Sequence, residues 1–132
     1  MKALDTNVLV RFLTGDDTAA YERVEALLRA AEERRETFRV TDLVLLELLW
    51  VLRSSYRLDR NRILDAIDAL LNTPMFAFQS TASLNQFLAM GRTTNLDLAD
   101  IWIGLNARQQ GCETTHTLDK KVAQSELFGE IP

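Results

Sequence analysis

The sequence predicts an α/β protein, a three-layer α/β/α arrangement with a short central parallel sheet in a single domain, residues 1–132. Three observations predict it. Short apolar runs alternate with longer segments whose apolar positions recur at helical spacing, the pattern of a parallel sheet whose crossovers are helices. The chain, 132 residues and 15.0 kDa, is long enough for one core and too short for several. At 47% hydrophobic and 26% charged, with two prolines and five glycines, its composition is that of a folded globular protein.

Residues 2–5 form a short apolar strand, and Asp5-Thr6-Asn7 supplies cap-type side chains where a helix through Val8–Phe12 begins. After Gly15-Asp16-Asp17, residues 18–34 carry Val24, Leu27, Leu28 and Ala31 on one helical face and end in Glu32-Glu33-Arg34-Arg35. Residues 38–41 read as the second strand, and Thr41 or Asp42 caps a helix through the chain's most apolar stretch, Leu43 to Leu52. A further amphipathic helix covers 59–71, with Ile63, Leu64, Ile67, Leu70 and Leu71 on one side and Asn72-Thr73-Pro74 stopping it. Residues 75–78 are the third strand. Helices near 81–92 and 97–109 follow, the second ended by Gly111, then a strand at 114–117 and a short helix from Lys120. In such sheets ligands bind beyond the carboxyl ends of the strands.

Several function classes are excluded by what is missing. No apolar run approaches the ~20 residues of a membrane span, and Met1-Lys2-Ala3-Leu4 has no signal-peptide core, so a soluble, cytoplasmic protein is expected. Cys112 is the sole cysteine, which rules out an internal disulfide and a cysteine-built zinc site; a small buried side chain is the reading. His116, the sole histidine, lies between threonines in a strand and reads as structural, which removes a histidine-pair nuclease mechanism. The net charge of -4 looks wrong for a nucleic-acid-binding protein, yet setting aside four acids as cation ligands leaves a neutral chain. Twelve of the 15 basic residues are arginine, whose planar fork suits phosphate.

Four acids stand in apolar settings: Asp5 after Ala3-Leu4, Glu47 inside Leu43–Leu52, Asp100 before Ile101-Trp102-Ile103, and Asp119 after Thr117-Leu118. A buried carboxylate without a partner costs several kcal/mol, so four of them point to a shared cation. Oxygen donors of this kind suit Mg2+ or Mn2+, and two such ions ~4 Å apart can activate water against a phosphodiester. Taken singly, Asp5 and Asp119 also read as helix caps, and Glu47 as a charge turned outward. Asp97, three residues before Asp100, reads as the N-cap of their helix.

These residues resemble the PIN-domain ribonucleases, especially the VapC-type toxins of bacterial toxin–antitoxin pairs, through nearly the whole chain. Asp5-Thr6-Asn7 looks like the family's opening metal motif, Glu47 in its Leu-Glu-Leu context its second acid, and Leu98-Ala99-Asp100-Ile101-Trp102-Ile103 its third. Gly111-Cys112, a strand, and Thr117-Leu118-Asp119 resemble the Thr-x-Asp signature that closes the site. The resemblance implies a parallel sheet with the first strand near its centre and Mg2+- or Mn2+-dependent endonucleolytic cleavage of RNA. It also implies a homodimer and a small antitoxin whose C-terminal segment occupies the active-site groove. Asp5, Glu47, Asp100 and Asp119 would then be catalytic metal ligands, with Thr6, Asn7, Asp97 and Thr117 holding them and water in position. The early end at Ile131-Pro132 implies a fifth strand that is very short or absent, and the alternative function is a non-catalytic PIN-fold protein binding a protein partner or nucleic acid.

Overall fold

Every strand pairing in the computed structural model, which describes every residue from Met1 to Pro132, is parallel, in one sheet of three strands and another of two. The chain divides into two compact units, Met1–Gln79 and Ser80–Pro132. The first contains β1 (Lys2–Ala3), α1 (Thr6–Thr14), α2 (Thr18–Glu33), β2 (Phe38–Val40), α3 (Asp42–Ser54), α4 (Arg60–Leu71) and β3 (Phe76–Phe78). The second contains α5 (Thr81–Thr93), α6 (Leu98–Gln109), β4 (Thr115–Thr117), a 3-10 turn at Val122–Gln124 and β5 (Phe128–Glu130). The alternation of short parallel strands with six helices is the α/β class that the sequence predicts. No helix is long and apolar enough to cross a membrane.

In the first unit, β2 is the central strand of the order β1-β2-β3, with Lys2 opposite Phe38 and Phe38 opposite Phe76. This corrects the expectation of a central first strand: only Lys2 and Ala3 pair, and both are exposed, whereas Phe38 and Val40 on β2 are buried. Each helix starts on a side chain that accepts an otherwise orphaned N–H, which is why the boundaries were readable. Asp17 Oδ1 accepts from Ala20 N at 3.0 Å, Thr41 Oγ1 from Val44 N at 3.3 Å, and Asp59 Oδ1 from Arg62 N at 2.9 Å. Gly15 ends α1 at φ +60°, a left-handed conformation in which a side chain is strained. α1 packs against α2 and α3, and Leu9, Val10, Val24, Leu28, Leu45, Leu48, Leu49 and Leu52 are buried.

In the second unit, α5 and α6 pack together, and Phe87 meets Trp102 edge to face at a centroid distance of 5.7 Å. β4 and β5 pair in parallel with His116 opposite Gly129, so the fifth strand is present and three residues long. Gly104 lets α6 approach the chain ahead of β5: a Cβ there would lie 2.9 Å from Leu127 Cβ and 3.0 Å from Phe128 Cε2.

Candidate active site

The first unit presents two of the expected acids at the carboxyl end of its sheet. Leu4 continues from β1 by donating its N–H to Arg39 O at 3.0 Å, and the chain then turns into α1 at Asp5. Asp5 has extended backbone, and its Oδ1 accepts from Thr6 N at 2.8 Å, an N-cap bond. Thr6 is buried, and its Oγ1 has no hydrogen-bond partner in the protein. Thr6 and Asn7 line a cavity of about 290 Å³ together with Val10, Arg11, Glu47, Val51, Ser55 and Tyr56.

Glu47 is exposed, which corrects its reading as a buried charge. The stretch Leu43–Leu52 is apolar nearly all round, but α3 buries one face only: Leu45, Leu48, Leu49 and Leu52 are covered, whereas Leu43 and Trp50 are 79% and 65% exposed. Glu47 lies between those two on the open face. The argument from burial cost therefore does not apply to it, nor to Asp5 and Asp119, which are exposed as well. For these three acids, place in the fold is informative and desolvation is not.

In the second unit desolvation does apply. Asp97 caps α6, its Oδ1 accepting from Ala99 N at 2.9 Å and from Asp100 N at 3.4 Å. Asp100, one turn into α6 and half-buried, has its carboxyl pushed above the usual carboxylate range, first by burial and then by the negative charges of Asp97 and Asp119. Asp119 follows β4, where its Oδ1 accepts from Lys121 N at 3.0 Å and Val122 N at 3.1 Å, and its own N–H donates to Thr117 Oγ1 at 3.1 Å. Thr117 thus holds the backbone of Asp119 in a turn. Like charges crowded against a half-buried carboxyl lose that repulsion when a cation sits among them, and hard divalent ions prefer such oxygen donors.

Within each unit, the side chains as placed gather no three His, Cys, Asp or Glu residues into a ready-made metal-binding group. The acids in hydrogen bonds turn oxygens toward backbone donors: Asp5, Asp97 and Asp119 each use Oδ1 as a cap. Their donor chemistry still fits a divalent cation.

A family model for the PIN domain matches residues 2–126, nearly the whole chain. The chain belongs to the PIN domain family. This PIN domain is also similar to a VapC ribonuclease of Aquifex aeolicus (strain VF5), 32% identical over 76 residues, which cover 58% of this chain and 56% of that relative. The match thus spans a little over half the length of the curated relative.

Other side chains of the PIN domain differ from the sequence reading or were missed by it. Cys112 is exposed rather than buried. His116 Nδ1 lies 3.1 Å from Glu130 O, a contact between the paired strands β4 and β5, in keeping with a structural role. Arg39 donates from Nη1 to Phe78 O at 2.8 Å within the sheet, which ties its guanidinium to the backbone. Tyr56 carried no sequence signal. Its hydroxyl donates to Asp16 Oδ2 at 2.7 Å, while Arg11 Nη1 and Thr14 Oγ1 each donate to Asp16 Oδ1 at 2.8 Å. These three bonds hold the Asp16 carboxyl down at about 2, the Tyr56 bond contributing most. The loop after α1 was legible as a turn; that it returns to a tyrosine after α3 was not.

Proposed function

We propose that this PIN domain is a divalent-metal-dependent endoribonuclease, the toxin of a VapBC-type toxin–antitoxin pair, with residues 1–132 working as one nuclease domain. The observation that carries the reading is the match to the PIN domain over residues 2–126, beside which the half-buried Asp100 carboxyl feels the negative charges of Asp97 and Asp119, a repulsion that a bound cation relieves. Asp5, Glu47, Asp100 and Asp119 are the proposed ligands, and the exposure of Asp5, Glu47 and Asp119 leaves them accessible to a hydrated ion. A divalent ion, Mg2+ or Mn2+, supplies charge neutralisation at the phosphate and a lowered pKa for attacking water. The chain's own residues do the rest. Asp97 and Thr117 fix the backbone turns that carry Asp100 and Asp119, and Thr6 and Asn7 offer a hydroxyl and an amide beside Glu47 for orienting water or substrate. That the Aquifex relative is a VapC ribonuclease supports RNA as the substrate, and a small antitoxin as the inhibitory partner follows from the resemblance to VapC-type toxins. A homodimer in the cytoplasm completes the proposal by family likeness.

The test is cleavage of structured RNA by the purified protein in MgCl2 or MnCl2, with EDTA and Asp5→Ala as controls. Cleavage confined to wild type plus metal supports the proposal; cleavage that survives both controls ends it. A non-catalytic PIN protein would bind without metal-stimulated turnover.

A further inference from the structure

Arg11 occupies a position that the metal chemistry does not use. It sits in the last turn of α1 and lines the cavity that contains Thr6, Asn7, Glu47, Ser55 and Tyr56. With Asn7 it also lines a second cavity, of about 520 Å³, alongside Val8, Ala20, Arg23, Val24 and Leu27. Its guanidinium is held from one end only. Nη1 donates to Asp16 Oδ1 at 2.8 Å and to Tyr56 Oη at 3.4 Å, so Nε and Nη2 keep their donors for another acceptor. Asp16 is itself fixed by Tyr56 and Thr14, whose hydroxyl approaches Asp16 and the Val10 carbonyl at 2.8 Å each. Anchoring reduces the rotamer freedom that an exposed arginine loses when it grips a ligand.

The chemistry of the two cavities favours a nucleic-acid strand. The second contains two arginines and no acid, beside apolar Val24 and a Leu27 that is 42% exposed. Phosphate suits the arginines, and a base face suits the apolar side chains. We propose that Arg11 is a positioning residue that binds a backbone phosphate of the RNA strand next to the Glu47 cavity, with the flanking nucleotide in the cavity between α1 and α2. This rests on the nuclease reading for the identity of the strand, but it makes a separate claim about binding.

The experiment measures fluorescence anisotropy of a short, fluorescein-labelled single-stranded RNA of mixed sequence with the full chain in EDTA, over a series of salt concentrations. Arg11→Gln is expected to weaken binding about tenfold, the scale of one hydrogen-bonded charge, and to flatten the log–log salt slope by about 0.7, one phosphate contact on a single strand. Arg11→Lys keeps the slope and loses part of the affinity, because the point charge remains and the fork does not. Tyr56→Phe leaves the slope unchanged and weakens binding by loosening the anchor. In metal-driven cleavage, Arg11→Gln raises KM more than it lowers kcat.

Equal affinity and slope in wild type and Arg11→Gln, undetectable binding included, overturns the proposal. So does a loss of affinity without a change of slope, or a loss seen with labelled polyglutamate but not with RNA, which assigns the cavity to a protein partner. The nuclease reading fails separately: an Arg11-dependent slope without metal-stimulated cleavage leaves this site standing and removes the enzyme. Cleavage with an unchanged KM in Arg11→Gln does the reverse.

Discussion

Gly104 is where a single methyl group tests the packing that fixes α6, the helix of Asp97 and Asp100. A Cβ built there comes within 2.9 Å of Leu127 Cβ and 3.1 Å of Leu127 Cδ1, closer than carbon atoms tolerate. Leu127 Cβ is tied to its backbone and Leu127 is buried, so it cannot swing aside as a surface side chain would. Overpacking of this kind costs about 1–3 kcal/mol. Against it stands the gain of roughly 1 kcal/mol from replacing glycine by alanine inside a helix. The steric cost is the larger, and Gly104→Ala is expected to lose up to about 2 kcal/mol. Urea denaturation followed by circular dichroism reads this as a lower midpoint with an unchanged m-value. A midpoint raised by the full propensity gain would show that α6 does not press on Leu127 and would refute the packing argument.

Three further outcomes follow from the polar groups. In EDTA at neutral pH, Asp100→Asn is expected to raise stability. The folded-state pKa of Asp100 lies above its unfolded value, so its ionised form lowers stability as pH rises through the folded pKa and the penalty disappears below the unfolded one; a destabilised variant in thermal melts at pH 7 would contradict this. Asp16 has the opposite sign: its pKa of about 2 lies below the ordinary carboxylate range, so its stabilising contribution is complete above the unfolded value and is lost as pH falls through about 2. Asp16→Asn should flatten that part of the acid-denaturation curve, and an unaltered curve would mean that the Tyr56 and Arg11 bonds do not form in solution. Thr6→Val removes a buried hydroxyl without a protein partner and is expected to stabilise the metal-free protein by about 1 kcal/mol; a comparable loss in chemical denaturation would show that the hydroxyl is bonded to water.

Much of this architecture could be read from local chemistry. Asp17, Thr41, Asp59, Ser80 and Asp97 each begin a helix with a side-chain cap, and capping depends on residues only a few positions apart, so sequence carries the signal. Burial around α3 was not legible, because a helix that is apolar on nearly all faces does not announce which face will be covered. Glu47 thus reads as a buried charge although it is exposed, while Asp100, flanked by a less uniform pattern, is half-buried and has its carboxyl raised. β1 was read as longer than the two residues that pair, since Leu4 and Asp5 share its apolar approach while the chain is already turning. The Arg11–Asp16–Tyr56 network links residues as many as 45 positions apart, a separation at which no local rule operates. Gly104 likewise looks like an ordinary weak point in a helix until Leu127 is placed against it.

The most direct test of the metal-binding acids is isothermal titration of the protein with MnCl2, comparing wild type with Asp5→Asn, Glu47→Gln, Asp100→Asn and Asp119→Asn. The acids are expected to give wild type a saturable isotherm that each substitution weakens, most severely at Asp100, where the neighbouring charges of Asp97 and Asp119 favour a cation. Superimposable isotherms for wild type and Asp100→Asn would contradict the assignment of these carboxylates to a catalytic ion.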